Sequence, residues 1–250
     1  MTKAVAKKQE TDLAVASEFD NLGPEQSVNS NDIQIPKLLL MQGLSPKVKE
    51  QVCKIGDLAS TLDYKAVANA EGESVNFLPF FWKKFWVYKS KDGNKWKFDS
   101  MAEINHLNEK DDPFEVWSEN GKDMKRVYTH MFWGIVEGHT MPHTVAFKSA
   151  SKKHGDVVVT QMYVINKTLK TDKSWLTSPM GKWMELQPTK AVSKDGDEYI
   201  ELQATAGKES TLEEAQEALK WFHAVKSGEA KSDLNHEEEE VKYADDKAEF

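Results

Sequence analysis

The chain has 250 residues, 39% of them hydrophobic, and its 8 tryptophans and 11 phenylalanines can supply a substantial core. The single cysteine, Cys53, excludes an internal disulfide and a cysteine-rich zinc site, and it fits a reducing compartment. No run approaches the ~20 apolar residues that span a bilayer, and the N-terminus lacks the apolar centre of a signal peptide. We therefore expect a globular cytoplasmic protein that has no membrane among its partners.

The net charge of −8 is distributed unevenly. Residues 195–250 carry 17 acids and 6 lysines, whereas residues 75–190 carry 18 lysines and arginines against 13 acids. A basic body with an acidic end is typical of proteins that bind nucleic acid or a protein partner. Lysines that only keep the body soluble would give the same pattern.

Residues 1–31 are polar and have no sustained apolar period, which predicts a disordered N-terminal arm. The folded domain is predicted to span residues 32–228. Its first part, from Ile33 to Pro46, predicts an extended edge segment and a turn, because Pro36 cannot donate a hydrogen bond inside a sheet. Residues 229–250 are predicted to form a disordered acidic tail.

Short apolar runs separated by Gly, Asp, Asn and Pro indicate a β-rich domain between residues 51 and 204. Reversals such as Asp92-Gly93-Asn94, Glu119-Asn120-Gly121, Glu137-Gly138 and Asp195-Gly196 favour antiparallel pairing, because Gly and Asn accept positive φ at low cost. We predict a mainly β fold, an OB-like antiparallel β-barrel with elaborations. The predicted strands are Asp57 to Leu62, Val75 to Tyr88, Lys95 to Phe98, Phe114 to Ser118, Arg126 to Glu137, Thr144 to Lys148, Val157 to Asn166, Gly181 to Gln187 and Tyr199 to Ala204.

One C-terminal helix is predicted at about residues 211–227. Thr211 and Glu214 have the spacing of a capping box, in which each side chain binds the other residue's backbone amide. Apolar residues then recur at helical spacing, and Gly228 follows the last of them. We expect the helix to pack on the barrel through its apolar stripe, and a helix that binds a partner is the alternative.

The segment 76–98 carries the strongest functional signal. Alternate residues of a strand share one face, and here both faces would carry aromatic side chains interrupted by lysines. Single-stranded nucleic acid needs this mixture, because bases stack on rings at ~1 to 3 kcal/mol each and phosphates bind cations. The alternative is that the aromatics fill the space between barrel and helix while the lysines extend to solvent.

We predict a DNA-binding surface on this hairpin and on the neighbouring strand from Val127 to Trp133. The predicted stacking residues are Trp82, Phe85, Trp86, Tyr88 and Trp96, with Tyr128 beside them. The predicted phosphate-binding residues are Lys83, Lys84, Lys89, Lys95, Lys97 and Arg126. Because Arg126 is the only arginine, bidentate reading of guanine is not expected, and binding should be independent of sequence.

Signatures of catalysis are weak or missing, since the sequence has no Walker loop and no GxGxxG motif. His139 and His143 are expected in a solvated turn, because no cysteine or nearby carboxylate completes a metal site. The acidic cluster Asp111, Asp112 and Glu115 is the basis of one alternative, a metal-dependent nuclease, but it lacks the lysine spacing of such sites. We predict a non-catalytic protein with no catalytic residue, cofactor or metal.

The tail, residues 229–250, has 9 acids and 3 lysines and too few apolar residues to offset the entropy of ordering. Many acidic tails only aid solubility. The end of this tail is more specific, because an acidic segment can compete with DNA for a basic groove and a terminal phenylalanine can insert into a partner. The predicted partner-binding residues are Asp245, Asp246, Glu249 and Phe250.

An aromatic-and-lysine β-domain followed by an acidic tail ending in phenylalanine resembles the single-stranded-DNA-binding proteins of replication, both bacterial and from lytic bacteriophages. The segments IQIPKLLLMQGLSP and KEQVCKIGDLAST are also similar to phage proteins of this size. The resemblance implies an OB-type barrel and non-catalytic binding of single-stranded DNA during phage replication or recombination, in the host cytoplasm.

The same resemblance implies that the tail recruits replication proteins, such as the polymerase or the primase-helicase. A homo-oligomer is compatible with it. The remaining alternative is a phage accessory protein that binds a host protein through its acidic surface, for example by imitating DNA.

Overall fold

The computed structural model describes residues 34–43, 45–93, 95–104, 114–194 and 196–232. The predicted N-terminal arm lies outside the described residues, and so does the tail from residue 233 onward. Residues 229–232 are part of the fold, because Ala230 is buried and Lys231–Ser232 forms a short strand.

The strands are β1 (Gln34–Ile35), β2 (Lys37–Leu40), β3 (Leu58–Ser60), β4 (Ala66–Ala68), β5 (Val75–Asp92), β6 (Lys95–Glu103), β7 (Phe114–Glu119), β8 (Lys122–Val136), β9 (Pro142–Lys148), β10 (Lys182–Val192), β11 (Glu198–Glu209) and β12 (Lys231–Ser232). The α-helices are α1 (Pro46–Lys49), α2 (Lys152–Thr160), α3 (Asn166–Thr168) and α4 (Leu212–Ser227). A π-helical turn, Gln161–Ile165, joins α2 to α3, so that residues 152–168 form one continuous helical segment.

Ten of these strands form one sheet in the order β11-β10-β5-β8-β9-β2-β3-β4, with β6 paired to β5 and β7 paired to β8. The sheet curls into a half-barrel, since β4 comes back into contact with β10 and Gln42 Nε2 donates a hydrogen bond to the Ile200 carbonyl at 3.3 Å. The predicted mainly β, barrel-like fold with one packed C-terminal helix is confirmed.

Tight reversals join most neighbouring strands of this sheet. Asn120, Gly121, Gly138 and Gly196 have φ of 51°, 76°, 82° and 89°, and each lies in a turn predicted from the sequence. The pairs β5–β6, β7–β8, β8–β9 and β10–β11 are antiparallel, as expected.

Helices cover both faces of the long central strands β5 and β8. On one face, Phe77 and Phe132 pack in a core with Met162 of the helical segment 152–168. On the other face, Leu78 and Phe80 belong to a second core, which α4 completes. Burial on both faces explains why β5 carries aromatic residues on both of its sides.

The helix α4 begins and ends as predicted. The Thr211 hydroxyl accepts a hydrogen bond from the Glu214 amide at 3.2 Å, and the Glu214 carboxylate accepts one from the Thr211 amide at 2.8 Å. The same carboxylate accepts a hydrogen bond from the Trp183 indole at 3.0 Å, which ties the helix start to β10. Gly228 ends the helix with a φ of 82°.

The predicted strand from Val157 to Asn166 is wrong, because these residues lie in the helical segment 152–168. The run of β-branched residues favours a strand locally. Tertiary packing outweighs that preference, since Val158, Met162 and Asn166 are buried at helical spacing against the sheet.

The predicted edge segment near Pro36 is also wrong. The strand β2 lies inside the sheet, antiparallel to β3 and parallel to β9. Pro36 is tolerated because it precedes β2, and its carbonyl accepts a hydrogen bond from the Thr144 amide at 2.8 Å.

Candidate nucleic-acid interface

The predicted DNA-binding residues lie on a four-stranded part of the sheet, in the order β6-β5-β8-β7. Directly paired residues of antiparallel strands share a face, so the pairing divides the predicted set in two. We call the first side the aromatic face, which carries Trp82, Lys84, Trp86, Tyr88, Lys97, Arg126 and Tyr128. We call the second side the lysine face, which carries Lys83, Phe85, Lys89 and Trp96.

The position of Lys95 is defined only by its backbone, which pairs with Asp92 at the start of β6. Lys97 forms a salt bridge with Asp92 at 2.8 Å. The tip of the hairpin therefore has a carboxylate among its lysines, and this lowers its net positive charge.

Arg126 lies at the centre of the aromatic face. Its guanidinium carbon lies 4.3 Å from the centroid of the Trp86 ring, and Nη2 forms a salt bridge of 2.9 Å with Glu115. Its Nε is buried and has no hydrogen-bond partner among the described residues. Arg126 Nε is therefore an unsatisfied donor, which costs about 1 to 3 kcal/mol, and an incoming acceptor could bind it only after the neighbouring side chains move.

Two half-buried rings flank this arginine. The rings of Tyr88 and Trp117 meet edge to face, with centroids 6.2 Å apart. Trp117 is not among the residues predicted from the sequence, although its alternation with Glu115 in a short strand was a usable signal. Both rings keep part of their surface open, which a base needs for stacking.

At the other end of the aromatic face, a chain of hydrogen bonds fixes the helical segment to the sheet. The Trp82 indole donates to His130 Nδ1 at 3.0 Å, and His130 Nε2 donates to Asp156 Oδ1 at 2.9 Å. Lys152 donates to Asp156 Oδ2 at 2.9 Å. Burial lowers the pKa of His130 to about 4, although the Asp156 carboxylate acts in the opposite direction.

Cations cover other rings of this face. Lys84 lies over Trp82 with Nζ 5.7 Å from the ring centroid, and Lys152 lies over Tyr128 at 5.2 Å. Trp86 and Tyr128 are only 7% and 6% exposed. Rings covered in this way stabilise the sheet and the cations, and they offer no open face to a base.

On the lysine face too, burial and ion pairing oppose the predicted stacking and phosphate-binding roles. Phe85 belongs to the core that α4 completes, and Trp96 is buried with Lys125 Nζ 4.6 Å from its ring centroid. Lys89 is 4% exposed, and Lys83 forms a salt bridge of 2.7 Å with Glu103. The structure thus assigns Phe85 and Trp96 to packing, and it brings none of these four residues onto the aromatic face.

His143 does not lie in a solvated turn as expected. It is fully buried in β9, where Nε2 accepts from the Ser60 hydroxyl at 2.9 Å and Nδ1 donates to the Met141 carbonyl at 3.1 Å. Burial lowers the pKa of His143 to about 4. Within the described ranges, no three His, Cys, Asp or Glu side chains are grouped as metal ligands. Asp111 and Asp112 lie outside these ranges.

The fold and this surface define a curled, mostly antiparallel sheet with an aromatic, cation-covered face and a helix on each side. The chain belongs to the family described as Pam3 phage gp34-like protein, whose model matches residues 5–231. The expectation of a bacteriophage protein agrees with this family. No curated protein and no solved structure matches the chain. Within the described part of the chain, no helix combines the length and apolarity needed to cross a membrane.

Proposed function

We propose that the protein binds single-stranded DNA without sequence preference and without catalysis, in phage DNA replication or recombination. The proposed interface is the aromatic face around Arg126, Tyr88 and Trp117. The resemblance to single-stranded-DNA-binding proteins and the membership of a phage family support the biological setting. The cytoplasm of the host is the corresponding compartment.

The observation that carries the proposal is the environment of Arg126. Its guanidinium carbon lies 4.3 Å from the centroid of the Trp86 ring, its Nε lacks a hydrogen-bond partner among the described residues, and its Nη2 binds the exposed Glu115. A phosphate could take the place of Glu115, because guanidinium groups bind carboxylate and phosphate with the same planar geometry.

Single-stranded DNA fits this surface better than a duplex does. Tyr88 and Trp117 can stack on unpaired bases, whereas bases inside a duplex expose only their edges. One arginine and scattered lysines would bind phosphates whatever the sequence. This interface is smaller than the predicted one, since it excludes the buried rings of Phe85 and Trp96.

The test uses two substitutions with opposite expected effects. Arg126→Gln removes the phosphate ligand and should weaken binding about 10- to 100-fold, as expected for a hydrogen bond to a charged group of ~1.5 to 3 kcal/mol. Glu115→Gln removes the competing carboxylate and should tighten binding. The measurement is fluorescence anisotropy of a labelled oligo-dT in about 50 mM salt, where phosphate contacts are strong.

Lys91→Gln is the matched control. Lys91 belongs to the same hairpin and forms a salt bridge of 3.2 Å with Asp123, but it lies on the lysine face. It should change affinity little. The absence of any anisotropy change with the unaltered protein, or equal effects of the Arg126 and Lys91 substitutions, would refute the interface.

Salt provides an independent check. Each lost phosphate contact lowers the slope of log K against log salt by about 0.7 for a single strand. We expect Arg126→Gln to lower the slope by about this amount, and Lys91→Gln to leave it unchanged.

We also propose that replication proteins, such as the polymerase or the primase-helicase, bind the tail through Asp245, Asp246, Glu249 and Phe250. These residues lie outside the described part of the chain. Pull-down of the phage polymerase by the full chain, and its loss on Phe250→Ala, would support this role. Unchanged capture by the variant would contradict it.

A further inference from the structure

An open groove lies on the lysine face, on the side of the sheet opposite Arg126. Side chains from β2, β5, β6, β8 and β9 line it. Most of its wall is apolar, but Lys37, Lys89 and Lys148 also line it, and none of the described lining residues is a carboxylate. The groove therefore combines apolar contact with positive charge.

Thr144 adds a polar group to this groove. It lies in the wall, it is 1% exposed, and its hydroxyl oxygen has no hydrogen-bond partner among the described residues. Burial of a hydroxyl without a partner is costly, so a ligand that supplied one would recover part of that cost. The groove thus has both a charge and a hydrogen-bonding group that favour a polar occupant.

The described chain ends beside this groove. The strand β12 pairs with β1 in parallel, with Ser232 opposite Ile35. The Trp133 indole donates to the Ser232 hydroxyl at 2.6 Å and fixes this end to the lysine face. Because the pairing is parallel, the chain leaves Ser232 in the direction that leads from Ile35 to Lys37.

The direction from Ile35 to Lys37 also runs along the groove. Lys37 pairs with Thr144 in the parallel arrangement of β2 and β9, and Lys148 lies four residues further along β9. Four extended residues span about 13 Å. If the chain continued in extended form from Ser232, residue 234 would come level with Lys37 and residue 238 with Lys148.

The sequence beyond Ser232 has the charge that this groove requires. Residues 233–250 contain eight acids and two lysines, and four consecutive glutamates occupy positions 237–240. An extended chain would therefore bring these glutamates level with Lys148. An occupant tethered two residues from the groove also has a high effective concentration, of the order of mM for a short linker.

We propose that the acidic segment 233–250 binds in the groove of its own chain, with the glutamates at 237–240 beside Lys148 and Lys89. The bound segment lies on the face opposite Arg126. Its apolar residue Leu234 lies near the entrance at Lys37. This arrangement does not depend on DNA binding, and its test contains no nucleic acid.

The test places a nitroxide on the tail of the full chain. The native thiol is removed by Cys53→Ala, and Glu238→Cys carries the label. The methyl NMR signals of Met101 and Met131, which line the groove, should broaden. The signals of Met162 and Met184 should broaden much less, because they lie in the core on the opposite face. Salt of about 1 M should abolish the broadening, since it reduces the Debye length to ~3 Å.

Charge reversal separates docking from misfolding. Lys37→Glu with Lys148→Glu should abolish the broadening, and reversal of the three remaining glutamates, Glu237, Glu239 and Glu240, to lysine should restore it in that background. Lys167→Glu with Lys170→Glu makes the same change in net charge at the C-terminal end of the helical segment on the opposite side, and it should leave the broadening intact.

Three results would overturn the proposal. The first is no broadening of the groove methyls at low salt. The second is broadening that survives the reversal of Lys37 and Lys148. The third is broadening of untagged, isotope-labelled chains by tagged ones in a mixture, which would mean that the segment binds another copy.

Discussion

Acidification should destabilise the protein through His130, and the surroundings of this side chain determine how much free energy of unfolding is lost. Its ring lies in the core beside Trp82 and Tyr128, and the charged groups that face it are Asp156, Lys152 and Lys84. Burial lowers the pKa from 6.5 to about 4. The Trp82 indole donates a hydrogen bond to His130 Nδ1, so protonation of that nitrogen would break this hydrogen bond as well.

The unfolded chain takes up a proton near pH 6.5, whereas the folded chain does so only near pH 4. The stabilisation is therefore complete above about pH 6.5 and is lost as the pH falls from there towards 4. At about pH 5 the loss amounts to about 2 kcal/mol for this one group. His143, with the same lowered pKa, should contribute a similar loss.

The assay is urea unfolding followed by tryptophan fluorescence, at about pH 7.5 and about pH 5. His130→Gln keeps a donor for Asp156 and an acceptor for Trp82, and it should remove about 2 kcal/mol of the difference between the two pH values. His223→Gln, on the exposed side of α4, should leave the difference unchanged. An equal pH-dependent loss in the His130 variant and the unaltered protein would refute the reasoning.

Further predictions concern packing and capping. Gly155→Ala should lower the melting temperature despite the higher helix propensity of alanine, because the added Cβ would lie 2.8 Å from His130 Cδ2 and 3.0 Å from Phe147 Cβ. Gly43→Ala, whose Cβ would meet only Ile55 at 3.6 Å, is the matched control in the same thermal melts. Thr211→Ala should cost about 1 kcal/mol in urea unfolding, because it removes the N-cap of α4; a loss below a few tenths would contradict this role.

Local signals were sufficient for much of the fold. Turns at Asn120, Gly138 and Gly196 require positive φ, and the capping box at Thr211 is contained within four residues. Such features depend on neighbours in sequence, so they could be predicted. The helical segment 152–168 could not, because its β-branched residues favour a strand and only packing against β11, β9 and β8 selects the helix.

The two faces of β5 could not be assigned because of one irregularity. Strict alternation would place Phe77 with Phe85 and Phe80 with Trp82. The register between β5 and β8 shifts between Pro79 and Phe81, which inserts one extra residue. As a result Phe77 shares a core with Trp82, and Phe80 shares the other core with Phe85.

The aromatic residues of β5 therefore have two explanations at different positions. Upstream of about residue 86, helices cover both faces and the rings serve packing. Further along, Tyr88 meets Trp117 of β7, a contact between strands that are distant in sequence. The sequence could identify a region rich in rings and cations, but only the pairing of β5, β8 and β7 shows which rings keep an open surface.

The opposite placement of groove and aromatic face predicts how the tail affects DNA binding. Competition for one surface, as expected from the sequence, would make DNA binding much tighter when the tail is neutralised. If the tail occupies the lysine face, its charges act on DNA only across the thickness of the sheet, about 10 Å, which is close to one Debye length at ~0.1 M salt.

Changing the four glutamates at 237–240 to glutamine in the full chain should therefore alter oligo-dT affinity by less than about threefold at that salt. Reversing Arg126 to Glu supplies the comparison, because it changes charge within the interface. A gain in affinity of tenfold or more from the tail variant would show that tail and DNA compete for the same surface.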